Sequence, residues 1–191
     1  MKIRESGMPD AAMWHTFFDP ESILDAMSLT DEVRDVADFG CGYGTFAIPA
    51  AKRIQGALHG FDVDETMIEA SRRLAEHEEA RNVRLHLRDV VANGTGLKDA
   101  SVDYVMLFNI LHAEDPMLLL SEASRILAPG GRVAVIHWRS DRRTPRGPSM
   151  EVRPSPEDCR RWLTDAGFLV RKAEVELPPH HFGVLALGST A

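Results

Sequence analysis

The sequence predicts an α/β protein in which parallel strands alternate with helices. Apolar strand-like segments and helix-like segments follow one another along the chain, and residues 103–108 form an almost continuous apolar run, as in a strand buried on both faces. The last two strand-like segments are joined by residues 178–181, a connection that suits an antiparallel hairpin better than a helical crossover. We therefore expect a doubly wound, Rossmann-like sheet of about seven strands, five parallel plus a C-terminal antiparallel hairpin, with helices on both faces.

The N-terminal half contains most of the predicted alternation. A short helix is expected within residues 9–18, and Asp19-Pro20-Glu21 has the N-cap, first-turn proline and acidic residue that begin a second helix. A helix beginning at Asp64 places its apolar side chains at helical spacing. The remaining elements are strand one at 34–39, a helix at 45–54, strand two at 57–61, strand three at 83–87 and strand four at 103–108.

The C-terminal half is delimited by capping signals. Asp115-Pro116 predicts a helix running to Leu127, and the turn at 128–131 leads into strand five at 133–138. Ser155-Pro156-Glu157-Asp158 is a capping box with proline at the first helical position, and Gly167 ends that helix. The hairpin strands are expected at 170–175 and 182–187.

Composition excludes several classes of protein. The chain has 191 residues, of which 44% are hydrophobic, and 29 acidic against 22 basic residues give a net charge of -7. This balance disfavours nucleic acid as a partner. Two cysteines support neither a disulfide scaffold nor a metal site, and the sequence has neither a membrane-spanning apolar run nor a secretory apolar core. We expect a cytoplasmic protein.

The segment VADFGCGYGTF at 36–46 contains the main ligand-binding signal. A glycine turn between a strand and a helix lets the backbone approach a ligand closely. Gly40, Gly42 and Gly44 alternate strictly, whereas a dinucleotide-binding turn has the spacing G-x-G-x-x-G and would place a glycine where Thr45 stands. The Asp38 carboxylate would repel a pyrophosphate and attract an ammonium group. The turn therefore favours a cationic, phosphate-free ligand such as S-adenosylmethionine over NAD.

At these residues the chain resembles the class I S-adenosylmethionine-dependent methyltransferases, of the small-molecule, type 11-like branch. The resemblance runs from about Asp31 to the C-terminus and includes further motifs in the family's order: GFDVDETMIEAS, Asp89 after strand three, FNILHAEDP and LAPGGRVAVIHW. It implies S-adenosylmethionine as the cofactor and S-adenosylhomocysteine as the product. The cofactor-binding residues implied are Asp38, Gly40, Cys41, Gly42, Gly44, Asp62, Val63, Met67, Asp89, Val90 and Asn109. Among them, Asp62 would accept both ribose hydroxyls, Val63 would flank the adenine, and Asp89 with Val90 beside it would read the adenine amino group.

The resemblance also divides the single domain, 1–191, into parts. Residues 1–30 are expected to form an N-terminal helical lid, 31–138 the cofactor-binding core, and 139–191 a substrate loop, a helix and the hairpin. His112 and Asn109 are the candidate catalytic residues, with His112 as a possible general base. The candidate acceptor-lining residues are Trp14, His15, His137, Trp138 and Arg139. No metal site is expected, because the histidine spacing fits no known ligand pattern.

Methyl transfer from a sulfonium depends mainly on alignment and exclusion of water, so the acceptor leaves little trace in sequence. The segment after strand four lacks the Asn-Pro-Pro-Tyr pattern of enzymes that methylate nucleobase amines, which favours a small-molecule acceptor. Dimerisation could supply further cover for the site. The rivals are a methyltransferase acting on protein or RNA, a non-catalytic S-adenosylmethionine-binding module, and an NAD-dependent oxidoreductase, which the glycine spacing and Asp38 oppose.

Overall fold

The protein, as a computed structural model that describes residues 13–14 and 16–189, is built on one mixed sheet. The strands lie in the order β3-β2-β1-β4-β5-β7-β6. The elements are α1 Pro20–Ala26, β1 Val36–Phe39, α2 Ala47–Arg53, β2 Leu58–Asp62, α3 Glu65–His77, β3 Val83–Leu87, α4 Val90–Asn93, β4 Val102–Phe108, α5 Pro116–Ile126, β5 Leu127–Trp138, a 3₁₀ turn at Met150–Val152, α6 Pro156–Asp165, β6 Leu169–Leu177 and β7 His181–Leu187.

The pairing of the strands confirms the predicted fold class. Strands β1 to β5 are parallel to one another, and β7 is antiparallel to both β5 and β6. The sequence did not indicate that β7 would lie between β5 and β6. From β1 the chain builds outward to β2 and β3, and β4 then returns to the other side of β1. The strand order therefore reverses between β1 and β4, and open α/β sheets bind their ligands at the carboxyl ends of the strands at such a switch point.

The helices begin where the capping residues predicted. Asp19 accepts a hydrogen bond from the Ser22 backbone, and Asp64 and Asp115 cap α3 and α5 in the same way. Ser155 and Asp158 form the reciprocal capping box of α6. Among the described residues, no helix is long and apolar enough to cross a membrane.

Alternate side chains of the strands enter two core layers, one on each face of the sheet. In β4, Tyr104 and Met106 pack into the layer beneath α1 and α2, while Val105 and Leu107 pack into the layer beneath α5 and α6. All four are fully buried. Burial on both faces explains why this strand is apolar throughout.

Two features differ from the sequence expectation, and a third lies partly outside the described residues. Strand β5 begins at Leu127 instead of Val133, because the predicted turn at 128–131 is a bulge within the strand, with Gly130 at φ +75° and a register shift against β4. A short helix, α4, follows β3 and is capped by Asp89. The predicted helix at 9–18 and the proposed lid at 1–30 lie partly outside the described residues; Met13 and Trp14 are helical, and α1 lies within the range given for the lid.

We expect Tyr104→Phe to reduce stability without changing the fold. The buried Tyr104 hydroxyl donates a 2.8 Å hydrogen bond to the Met27 carbonyl at the end of α1. Its loss leaves that carbonyl without the hydroxyl donor, so the free energy of unfolding should fall by about 1–2 kcal/mol in urea titrations. Ser101→Ala is the control, since its exposed hydroxyl also donates to a carbonyl, that of Lys98. A loss below about 0.5 kcal/mol in Tyr104→Phe, as for an ordinary surface change, would contradict the assigned role.

Candidate functional site

A cavity of about 660 Å³ opens at the carboxyl ends of β1, β2 and β4, beside the switch point of the sheet. Its size is typical of pockets that hold small organic ligands, roughly 300–1,000 Å³. The lining residues are Trp14, Asp38, Gly40, Cys41, Gly42, Thr45, Phe46, Asp62, Val63, Asp64, Glu65, Met67, Phe108, Asn109, Ile110 and His112.

Backbone hydrogen bonds hold the glycine turn against the end of β2. The amides of Gly40 and Cys41 both donate to the Phe61 carbonyl, at 2.8 and 2.9 Å. The Gly42 amide donates to the Asp62 carboxylate at 2.9 Å. The turn is therefore a fixed wall of the cavity, because each of its first three residues is bonded to the neighbouring strand.

All three glycines of the turn have positive φ, a conformation that L side chains rarely adopt. At Gly40 a Cβ would lie 2.8 Å from Ile110 Cδ1, and at Gly44 it would lie 2.9 Å from Ser71 Oγ. Ser71 in turn donates to the Gly42 carbonyl at 2.7 Å. Backbone conformation thus favours glycine at all three positions, and at Gly40 and Gly44 the close packing of Ile110, after β4, and of Ser71, in α3, adds to that preference. Gly44 shapes the turn but does not line the cavity.

Asp62 is the last residue of β2 and lines the cavity, and its two carboxylate oxygens accept different backbone amides. One oxygen accepts from the Gly42 amide and the other accepts from the Asp64 amide at 3.0 Å. A carboxylate has about four acceptor positions, so each oxygen keeps capacity for a ligand hydroxyl. Partial burial raises the pKa of Asp62, opposed by the backbone hydrogen bonds that it accepts. Such a carboxylate can hold a pair of neighbouring hydroxyls.

Asp38 is the most electrostatically unusual residue of the cavity. Its side chain is 3% exposed, and no hydrogen bond or ion pair to the carboxylate occurs within residues 13–14 and 16–189. Burial, and to a smaller degree the Asp62 charge, raise the pKa of Asp38 to about 8. A buried carboxylate with no partner is expensive to ionise, and a cation entering the cavity would offset that cost.

Two further polar groups line the cavity without hydrogen-bond partners in the described chain: the Thr45 hydroxyl and the Asn109 side-chain oxygen. Asn109 also has φ +57°, and its backbone N–H donates to the Ile136 carbonyl at 2.7 Å. Left-handed backbone at a non-glycine residue is costly and is concentrated at functional sites. Buried polar atoms of this kind are normally satisfied by a ligand or water.

Val63 and Met67 supply apolar surface next to Asp62. Val63 is 43% exposed although it is hydrophobic, and it lies at the point where β2 meets α3. Cys41 lines the same cavity, but burial raises the pKa of its thiol well above the ordinary value. This cysteine is therefore a small neutral side chain and a poor nucleophile.

Of the candidate residues on the acceptor side, the structure places some at the cavity and others away from it. Trp14 and His112 line the cavity, whereas His15 lies outside the described residues. His137 is not part of the lining but contacts His112, with a distance of 3.2 Å between ring nitrogens. Trp138 is fully buried behind Trp14, at 6.2 Å between ring centroids.

Three other candidate site residues make their contacts away from the cavity. Arg139 is 8% exposed and ion-paired with Asp141, Glu174 and Glu176. The Asp89 carboxylate accepts from the Ala92 amide at 3.0 Å, and Val90 packs into the core. None of the three lines the cavity. Their assignments to acceptor and adenine stay predictions.

Sequence reasoning missed several lining residues: Thr45, Phe46, Asp64, Glu65, Phe108 and Ile110. All lie at or within three residues of the carboxyl end of a strand or of the glycine turn, and that position was the signal that could have found them. No group of three or more His, Cys, Asp or Glu side chains in the described part of the chain is placed to hold a metal ion.

The fold and the cavity define the class: an α/β domain whose switch-point site offers carboxylates for a cation and for paired hydroxyls. A family model described as a methyltransferase domain matches residues 36–131. The chain belongs to this methyltransferase-domain family. The resemblance to class I S-adenosylmethionine-dependent methyltransferases of the type 11-like branch is confirmed, with S-adenosylmethionine as cofactor.

Individual relatives agree with this assignment. A SAM-dependent methyltransferase from Aquifex aeolicus has a TM-score of 0.81 at 27% identity, with 93% of each chain covered. Aklanonic acid methyltransferase DauC from Streptomyces sp. (strain C5) is 36% identical over 102 residues, which are 52% of this chain and 46% of that protein. Demethylmenaquinone methyltransferase from Listeria welshimeri is 33% identical over 107 residues, which are 53% of this chain and 44% of that protein. The chain spans about half the length of these curated relatives.

The residues present fit the cofactor. The buried Asp38 carboxylate suits the cationic amino-acid part of S-adenosylmethionine, the two oxygens of Asp62 suit its ribose hydroxyls, and exposed Val63 offers apolar surface for its adenine. Among residues 13–14 and 16–189, the cavity lining contains four carboxylates and neither lysine nor arginine, which does not suit a phosphate-bearing dinucleotide.

We predict that Asp62→Asn weakens S-adenosylmethionine binding by about 1–3 kcal/mol, or roughly 5- to 150-fold, measured by calorimetry. An amide cannot accept hydrogen bonds from both backbone amides and both ribose hydroxyls, because one of its two polar atoms is a donor. Asp115→Asn is the matched control, since Asp115 caps α5 and does not line the cavity. Equal affinity in the two variants would remove Asp62 from the cofactor site.

We also predict opposite effects of pH on stability and on cofactor binding. Between about pH 4 and pH 8 the folded protein holds a proton on Asp38 that the unfolded chain has released, so the contribution of Asp38 to stability falls as pH rises. A cation favours the ionised form, so binding should release that proton and tighten from pH 6 to pH 7.5.

Asp38→Asn should reduce both pH dependences, in urea titrations without cofactor and in calorimetry across buffers of different ionisation enthalpy. Asp115→Asn again serves as control. Unchanged slopes in Asp38→Asn would show that Asp38 does not titrate in this range.

Proposed function

We propose that the protein transfers a methyl group from S-adenosylmethionine to a small-molecule acceptor, with His112 as the general base. The observation that supports this most directly is the position of His112: it lines the same cavity as Asp38 and Asp62 and is 5% exposed. A histidine is suited to this role because its ordinary pKa lies near neutrality.

The chain's residues would divide the work between binding and proton transfer. Asp38, Asp62 and the glycine turn would hold the cofactor, and Asn109 would fix the wall of the cavity after β4. When bound, S-adenosylmethionine supplies a methyl group on a cationic sulfur, and the electron pair of the broken carbon–sulfur bond returns to sulfur. His112 would take the proton from an acceptor hydroxyl as the oxygen bonds to the methyl carbon, which keeps charge and atoms balanced.

The lining of the cavity favours a small apolar acceptor. Trp14, Phe46 and Phe108 contribute aromatic surface, and Trp14 is itself packed against Phe18 and Trp138. Aromatic side chains bind flat apolar molecules through large contact area and ring geometry. The names of two relatives, an aklanonic acid methyltransferase and a demethylmenaquinone methyltransferase, agree with an acceptor of this class.

The same lining argues against nucleic acid as the acceptor. Binding of a phosphate backbone requires lysine and arginine, and the cavity rim instead carries Asp64 and Glu65 in addition to the two inner carboxylates. Arg139 does not compensate, because it is saturated by three acidic partners. We therefore favour a small-molecule acceptor over RNA.

The test is release of S-adenosylhomocysteine by the purified protein with a panel of hydroxylated aromatic and quinol compounds, with total tRNA and a bacterial ribosomal protein fraction as separate arms. Turnover with one of the compounds and none with the macromolecules is expected. Methylation confined to the protein or RNA arm would overturn the proposed acceptor class, and cofactor binding with no turnover in any arm would favour a non-catalytic module.

With an acceptor found, His112→Gln should lower kcat by roughly 10²- to 10⁴-fold while the affinity for S-adenosylmethionine stays within about twofold, because a general base acts only in the chemical step. His77→Gln is the control, since His77 is exposed in the last turn of α3. A normal kcat in His112→Gln would leave the methyltransferase intact and remove its proposed base.

A further inference from the structure

A second histidine, His137, is buried behind the proposed base. His137 Nε2 lies 3.2 Å from His112 Nδ1, and the two rings meet edge to face with 5.3 Å between centroids. His137 is fully buried near the end of β5, while His112 lies in the segment after β4. The pair therefore joins the cavity wall to the core of the sheet.

The direction of each hydrogen bond follows from one fixed acceptor. His137 Nδ1 lies 3.3 Å from the Trp138 carbonyl oxygen, and a carbonyl oxygen can only accept. His137 Nδ1 therefore carries hydrogen, and in a neutral ring Nε2 is then the acceptor. His112 Nδ1 must donate to it, so the basic nitrogen of neutral His112 is Nε2.

The surroundings keep His137 neutral. Burial lowers its pKa well below the ordinary value, and the groups facing it are His112 after β4, His181 on β7 and Arg153 before α6. Each of these disfavours a positive charge on His137. A protonated His137 would have two donors and could not accept from His112, so its neutrality is required for the chain of hydrogen bonds.

We propose that His137 is a positioning residue that holds His112 in the Nδ1–H form, so that Nε2 is the nitrogen that takes the acceptor's proton. The inference rests on the proposed function of His112, but the tautomer itself can be measured without any acceptor. In other enzymes a base held in the wrong tautomer costs orders of magnitude in rate although the ring stays in place.

The experiment uses two substitutions at His137 and one matched control. His137→Leu removes the acceptor from a fully buried position, and His137→Gln can keep an oxygen where Nε2 stood. His86→Leu is the control, because His86 Nε2 and His59 Nδ1 form a second histidine pair, also at 3.2 Å, whose residues do not line the cavity. Calorimetry with S-adenosylhomocysteine shows which variants keep the cofactor site folded.

The first readout is the nitrogen NMR spectrum of the histidine-labelled protein. In the wild type, in His137→Gln and in His86→Leu, His112 Nδ1 should be protonated and Nε2 should not. In His137→Leu the Nε2–H form should become the major one. A wild-type His112 with hydrogen on Nε2, or a tautomer that His137→Leu leaves unchanged, would overturn the proposal; should His137→Leu fail to fold, the wild-type spectrum alone decides.

The second readout is kinetic and separates the two proposals. His137→Leu should lower kcat by roughly 10- to 1,000-fold with KM for the cofactor within about twofold, and His137→Gln should restore most of that loss. A normal rate in His112→Gln would remove the base, whatever the tautomer. A slow His112→Gln together with a normal His137→Leu would keep the base and reject positioning by His137.

Discussion

The site depends on the hydrogen bonds that tie the glycine turn to the end of β2. The Phe61 carbonyl accepts from Gly40 and Cys41, and the Asp62 carboxylate accepts from Gly42. Because these bonds run between neighbouring parallel strands, they fix the turn and Asp62 as one rigid unit. Two of the three donors, Gly40 and Gly42, have left-handed backbone, a conformation in which an L side chain would be strained.

The cavity beside this unit contains carboxylates, a strained backbone and a polar group whose arrangement is unfavourable when no ligand is present. Asp38 and Asp62 face one cavity; beyond the effect of burial, the Asp62 charge raises the pKa of Asp38 and the Asp64 charge raises that of Asp62. Asn109 adds a strained backbone, and Thr45 a hydroxyl without a partner in the described chain. Ligand-binding sites commonly lower the stability of the folded protein, and a ligand that binds only the folded state raises that stability by mass action. The cavity is therefore arranged for its cofactor more than for the empty protein.

The sequence allowed the sheet and this unit to be predicted because both depend on local signals. Capping residues marked the helix starts, the apolar run marked β4, and the alternating glycines with Asp38 and Asp62 marked strand ends. The direction of side chains at and beyond the strand ends could not be predicted from such local signals. Three consecutive residues at and just after the end of β5 have different surroundings. His137 contacts His112, Trp138 is buried among aromatic rings, and Arg139 is ion-paired. Only the packed structure decides among such outcomes.

The histidine pair gives a reason why His112 faces a neutral partner instead of a carboxylate. A carboxylate at the position of His137 would favour the protonated form of His112, and a protonated imidazole cannot take a proton from an acceptor. It would also place another positive charge in a cavity that holds a cationic cofactor. A neutral His137 would orient the proposed base through a hydrogen bond and avoid both effects. The carboxylates line the part of the cavity proposed to hold the cationic cofactor, and none of them takes part in the hydrogen bonds that link His112, His137 and the Trp138 carbonyl.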